Sequence, residues 1–153
     1  LCVLLLMSET ETIDSELYVE LKKWSLDAIY NMTSRVLKEM DLSVDKQTLI
    51  FNKLKYYRFI NGAEELINGS HICYMSLGNI EEQMHDHKET IIKSSIFCKI
   101  NDNNAKNDGR NWLICKNYGF KVRHFQICFE DNLVFQKFNK DELLMIESAE
   151  LLL

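Results

Sequence analysis

The chain contains no proline and only five glycines. The glycines are scattered, and neither G-x-x-x-x-G-K nor G-x-G-x-x-G occurs. The phosphate-cradling loops of nucleotide-binding α/β folds are therefore excluded. Five cysteines are present (Cys2, Cys73, Cys98, Cys115 and Cys128), but none forms a C-x-x-C pair. The last four sit in apolar runs, where a free thiol behaves as a small hydrophobe. That pattern suits a reducing compartment, cytoplasmic or virion rather than secreted. The longest apolar run, Leu1-Cys-Val-Leu-Leu-Leu6, is too short to span a bilayer and lacks the basic flank of a signal segment. Basic residues are also in deficit. A net charge of −5 argues against indiscriminate nucleic-acid binding, because neutralising phosphates needs a basic excess.

What is present is ordinary globular material: 153 residues, 46% hydrophobic and 27% charged, enough for one core of useful size. Charge is unevenly laid out. Residues 1–85 carry 8 Lys and Arg against 13 Asp and Glu, residues 86–140 carry 10 against 6, and residues 141–153 carry none against 4. A mildly basic middle thus lies between acidic ends. Met7-Ser-Glu-Thr reads as a natural start, so residues 1–13 are expected to be a leader or disordered.

The chain divides by pattern. Residues 14–40 read as an amphipathic helix capped by Asp14 or Ser15, with Leu17, Leu21, Trp24, Ala28, Met32 and Val36 in one stripe. Ser43 caps a second helix from Val44 to Tyr57, with Phe51, Leu54 and Tyr57 on one face. Together they predict a helical hairpin over 14–60, with Trp24, Phe51, Tyr56, Tyr57 and Phe59 as packing residues. After Asn61-Gly62 the period falls to two. Five strands are expected, at Ser70–Leu77, Thr90–Ile100, Asn111–Lys116, Phe120–Phe129 and Leu133–Phe138. In the second of these, Ile92, Ile96, Cys98 and Ile100 share a face. Asn101–Asn111 reads as a long polar hairpin loop and Glu130–Asn132 as a tight turn. Residues 141–153 read as a short acidic helix. The expected class is α+β: the hairpin, then a small antiparallel β-barrel or rolled sheet (SH3-like) over 61–140, then the C-terminal helix.

Residues 69–137 resemble a module of uncharacterised small β-barrel proteins of nucleocytoplasmic large DNA viruses. The residues that carry the resemblance are Gly69-Ser-His-Ile-Cys-Tyr74, Ser94-Ser-Ile-Phe-Cys-Lys-Ile100, Trp112-Leu-Ile-Cys-Lys-Asn117 and Phe125-Gln-Ile-Cys-Phe-Glu-Asp-Asn-Leu-Val-Phe-Gln-Lys137. Phe125 stands where the module has Trp, and Ser94-Ser95 stand where it has Gly-Gly. These are core and turn residues, so the resemblance implies a fold and a viral, virion-associated setting and assigns no catalytic residue. An abundance of Asn, Ile and Lys with scarce Gly and Ala and no Pro fits an AT-rich genome, such as those of some large DNA viruses, protists or bacteria.

The chemistry-bearing residues are few. His71-x-Cys73 and His85-x-His87 have metal-like spacing, and Cys98, Cys115 and Cys128 could in principle complete a site, but the spacing matches no zinc pattern, so no metal and no cofactor are expected. Cys73 or Cys128 with His71 or His124 could form a nucleophilic pair only if the thiol were exposed and electropositive, and apolar runs argue against that. Glu81-Glu82 and Glu130-Asp131 read as solvated carboxylates. No enzyme is expected. The basic middle is the best functional feature: Lys99, Arg110, Lys116, Lys121 and Arg123, with Trp112 and Tyr118 as stacking surfaces, compose a candidate nucleic-acid contact. Lys121 and Arg123 are expected on a strand, where such residues also serve simply to solvate a face. Leu17, Leu21, Trp24 and Phe51 compose a candidate protein interface. The expected role is a non-enzymatic interaction or structural protein that self-associates or binds a protein partner, with nucleic-acid binding on the basic β face as the alternative. Neither a membrane nor a small-molecule substrate is implied. The two roles separate on one observation each: an exposed aromatic on the basic face for nucleic acid, an exposed apolar stripe on helix 14–40 for protein.

Overall fold

The computed structural model describes residues 15–77, 92–102 and 109–153. The expected leader over 1–13, His85-x-His87, Glu81-Glu82, and most of the loop expected at Asn101–Asn111 lie outside the described residues. Four helices and a six-stranded antiparallel sheet are described, so the class is α+β.

The stretch expected to be one helix is two. Helix α1 covers residues 15–23, and α2 runs Leu26–Glu39. Ser25 is the reason for the break. Its Oγ accepts a hydrogen bond from the Ala28 amide at 3.2 Å, restarting the helix with a side-chain cap. Asp41 ends this region in a left-handed conformation, φ 54°. Helix α3, Val44–Lys53, is capped by Ser43, as its sequence predicts, but ends before Tyr57. Residues Tyr57–Phe59 instead form strand β1. Tyr57 and Phe59 are therefore strand residues, a correction to the hairpin reading.

The remaining strands are β2 (His71–Ser76), β3 (Lys93–Ile100), β4 (Trp112–Lys116), β5 (His124–Cys128) and β6 (Asn132–Lys137), and α4 is Lys140–Leu152. Their order is β1-β6-β2-β3-β4-β5, with every pairing antiparallel. The sheet is open and not closed into a barrel, since β1 and β5 are its edges. It is nonetheless rolled. Strands β2 and β5 are three places apart, about 14 Å if flat, yet the rings of Tyr74 and Phe125 lie 6.4 Å apart. The inner face holds the core cluster of Ile60, Ile72, Phe97, Leu113, Cys115 and Val134.

Strand β3 differs from its alternation. Ser95 and Phe97, not Ile96 and Cys98, face the core. A register shift between Phe97 and Lys99 makes Cys98 a bulge residue, and this single insertion returns Ile100 to the core side opposite Leu113. Lys99, opposite Ile114, stays outside.

Two compact units are present: residues 33–138 form one, and the described residues of the other are 15–32 and 139–153. The division falls inside α2. In the second unit the amide of Leu26 donates to Glu150 Oε1 at 3.1 Å, tying α2 to α4. Asn139 and Glu142 form a reciprocal capping box at the start of α4. No described helix is long and apolar enough to cross a membrane.

Candidate functional site

Cross-strand partners share a face, so the register defines the outer surface of the sheet. On the β6–β2 half that surface is filled: Met75 and Phe135 are fully buried and Cys73 nearly so. Toward β5 it opens. One row across it reads His71, Ile96, Lys116 and His124, and the next carries Lys99, Ile114 and Gln126. All seven are exposed or half-exposed.

Beyond Lys116 the chain leaves the sheet in a loop, residues 117–123. Asn117 shapes it. Its Oδ1 accepts from the Arg123 amide at 2.8 Å, and its own amide donates to the Arg123 carbonyl at 3.2 Å. This closure starts β5 at His124, so Lys121 and Arg123 lie in the loop and not on the strand where alternation put them. Phe120 at the loop's tip is fully exposed, and Val122 more than half so. Tyr118 folds back: its ring stacks on His71 at 5.3 Å and 17°, its hydroxyl shares a 2.6 Å hydrogen bond with His71 Nδ1, and its O–H also lies 3.4 Å from the Ser95 carbonyl it can donate to. The loop is thus pinned at both its stem and Tyr118, while Phe120, Lys121, Val122 and Arg123 project.

Of the expected basic set, Lys116, Lys121 and Arg123 come together at this end of β4, with Lys99 one row away. Arg110 does not join them. It precedes the opposite end of β4 and pairs with Asp131 at 3.0 Å, which offsets its charge. Trp112, half-buried opposite Cys128, is also at that far end. Sequence reasoning missed Phe120, because its segment reads as strand and the ring then counts as core. The available signal was Gly119 before it and a basic residue after it. The expected protein-interface set divides between the two units. Leu17 is half-exposed, Leu21 is 5% exposed, Trp24 is half-buried, and Phe51 belongs to the other unit.

Beside the loop lies a cleft of about 670 Å³, lined by Lys53, Tyr57, Cys73, Tyr74, Ile92, Lys93, Ser94 and Phe125. Cys73 Sγ is 3.4 Å from Ser94 Oγ. Burial pushes the Cys73 thiol above its ordinary pKa. The hydrogen bond with Ser94, the neighbouring Tyr57 hydroxyl and the nearby Lys53 charge oppose this without overcoming it. The Tyr57 hydroxyl is also pushed up, first by burial and then by Cys73. Burial lifts the Cys115 thiol to about 11 and raises that of Cys128. A thiol held protonated is a poor nucleophile and a poor metal ligand. Among the described residues no group of three or more His, Cys, Asp or Glu is arranged to hold a metal ion. The site offers cations, hydroxyl donors and exposed rings, which is equipment for binding an anion with a flat body. Compared with known protein families, curated proteins and solved structures, the chain finds no match.

Proposed function

We propose that the chain is a non-enzymatic interaction protein that holds single-stranded nucleic acid on the open half of its sheet, with the 117–123 loop as a stacking arm. The observation that carries this is the full exposure of Phe120 in a loop that also projects Lys121 and Arg123. An exposed ring beside cations matches how strands are held without sequence readout: a base stacks on the ring and the charges meet the flanking phosphates. Lys116 and His124 continue the basic track onto the sheet. The overall charge of −5 confines the attraction to this patch.

Fluorescence anisotropy with labelled single strands, over a salt series, tests the reading. Phe120→Ala is expected to weaken binding by about 5- to 100-fold, the range of one missing stack. Lys121→Ala with Arg123→Ala is expected to flatten the salt dependence by about 0.7 for each phosphate no longer neutralised. No binding at low salt, or binding indifferent to both variants, would sink the proposal.

A protein partner or self-association is the second reading, favoured by one observation in the other unit. Leu17, Tyr18 and Val19 on α1 and Leu143, Leu144, Leu151 and Leu152 on α4 are exposed apolar residues. Light scattering across protein concentration checks it, and a monomer throughout, unchanged by Leu144→Glu, removes self-association. The viral, virion-associated setting belongs to the proposal too, supported by the resemblance of residues 69–137 and by the AT-rich composition.

A further inference from the structure

The cleft beside the loop has a chemistry that stacking on Phe120 does not use. Its lining is polar on one side, with the Tyr57 hydroxyl near Cys73 and Ser94 Oγ 3.4 Å from the Cys73 sulfur. Lys53 at the end of α3 and Lys93 at the start of β3 line it, and neither forms an ion pair with a described residue. No described carboxylate lines it. Tyr74 and Phe125, 6.4 Å apart, supply flat walls, and Ile92 an apolar one. A volume of about 670 Å³ lies within the size range of small-molecule sites. Two ammonium groups with hydroxyl donors, and no carboxylate among the described lining residues, favour a dianion, and the aromatic walls favour a planar body attached to it.

The cleft also neighbours the loop described above, although the two share no lining residue. Phe125 follows Arg123 by two residues, and Lys93 and Ser94 precede Ser95, whose carbonyl faces the Tyr118 hydroxyl. Tyr118 lies close enough to raise the Tyr57 pKa by its charge, and the Cys73 charge in turn raises that of Tyr118. Loop and cleft therefore occupy one end of the sheet.

We infer that the cleft binds a phosphomonoester carried on a nucleoside, either a free mononucleotide or the phosphorylated end of a strand lying on the open face. Lys53 and Lys93 meet the phosphate, the Tyr57 and Ser94 hydroxyls donate to it, and Tyr74 and Phe125 meet the base. For the strand this rests on the function proposed above; for the free mononucleotide it stands alone.

The test compares strands of about eight nucleotides that are identical except for a 5′-phosphate, a 3′-phosphate or hydroxyls at both ends. Calorimetry separately measures adenosine monophosphate against adenosine. One phosphorylated strand is expected to bind about tenfold tighter than the hydroxyl-ended strand, the worth of one charge-assisted contact, and adenosine monophosphate is expected to bind where adenosine does not. Lys53→Ala with Lys93→Ala should abolish both differences and leave the hydroxyl-ended strand's affinity unchanged, with circular dichroism confirming the fold. Equal affinity for all three strands, with no mononucleotide binding, overturns the cleft inference and leaves the surface reading in place. Mononucleotide binding without strand binding keeps the cleft and removes the surface reading. Loss of the hydroxyl-ended strand in the double variant would make these lysines part of the general surface and overturn the pocket.

Discussion

At the scale of the residue, two side chains outside the site show how local polar chemistry is settled. The Glu65 carboxylate accepts from the amides of Asn61 and Gly62 at 2.8 and 2.9 Å and from Arg58 Nη1 at 3.1 Å. Burial alone pushes its pKa up, but the Gly62 amide, Arg58 and the Asn61 amide outweigh burial and hold it below the ordinary carboxylate value. A folded-state pKa below the unfolded one contributes stability that is full above the unfolded value and lost as pH falls through the folded one. The urea midpoint is therefore expected to fall on acidification below about pH 4.5, the ordinary carboxylate value. Glu65→Gln should flatten that fall in part, because Glu130, held low by the Asn111 amide and side chain against its own burial, titrates in the same direction. Asp41 is the other case. A side chain at φ 54° carries a backbone cost that glycine avoids, and Asp41→Gly is expected to raise stability by about 1 kcal/mol in urea unfolding. The Ser43 cap was legible in the sequence. The left-handed state of Asp41 was not, because Asp is equally at home in ordinary turns.

At the scale of the element, the sequence showed five of the six strands, and the misses have a common cause. Strand β1 is three residues long and pairs with β6, nearly eighty positions further along the chain, so no local pattern announces it. Read locally, Tyr57 merely extends the preceding helix. The β3 bulge is likewise fixed by pairing: only the partner positions on β4 show that Cys98 is the extra residue. In the site, what local pattern could not show was the Asn117 closure. Alternation in Phe120–Phe129 is genuine from His124 onward, but the hydrogen bonds from Asn117 to the Arg123 backbone stop the strand there. Asn117→Ala is expected to remove about 1 kcal/mol of local support, so the Arg123 amide should exchange with solvent roughly fivefold faster while core amides of β4 hardly change. Unaltered exchange at Arg123 would mean that Tyr118, through His71, is sufficient to hold the loop. The same variant should weaken strand binding if the arm must be preorganised for Phe120 to stack.

At the scale of the whole molecule, the change of grammar after Asn61 marks where strands begin to dominate, yet it is not where the fold divides. The sheet-bearing unit takes in residues 33–60. Ile60 is 1% exposed and sits in the core cluster, its amide donates to the Val134 carbonyl at 2.9 Å, and Phe59 packs on Phe135 at 5.5 Å. A piece beginning at Gly62 therefore loses an edge strand, exposes the β6 edge and opens the core at Ile60. Truncating one such buried side chain costs about 2–5 kcal/mol, a large part of the roughly 5–15 kcal/mol that holds a domain together. The expected outcome is that residues 62–139 fail to unfold cooperatively, while residues 26–138, which keep α2 whole, α3 and β1, show a sharp calorimetric transition. Cooperative unfolding of the shorter piece would mean that β1 is an accessory to a self-sufficient five-stranded sheet. That result would also bear on function. Lys53 and Tyr57 belong to the part removed, whereas Phe120, Lys121 and Arg123 do not, so a folded short piece should keep the stacking arm and lose the cleft.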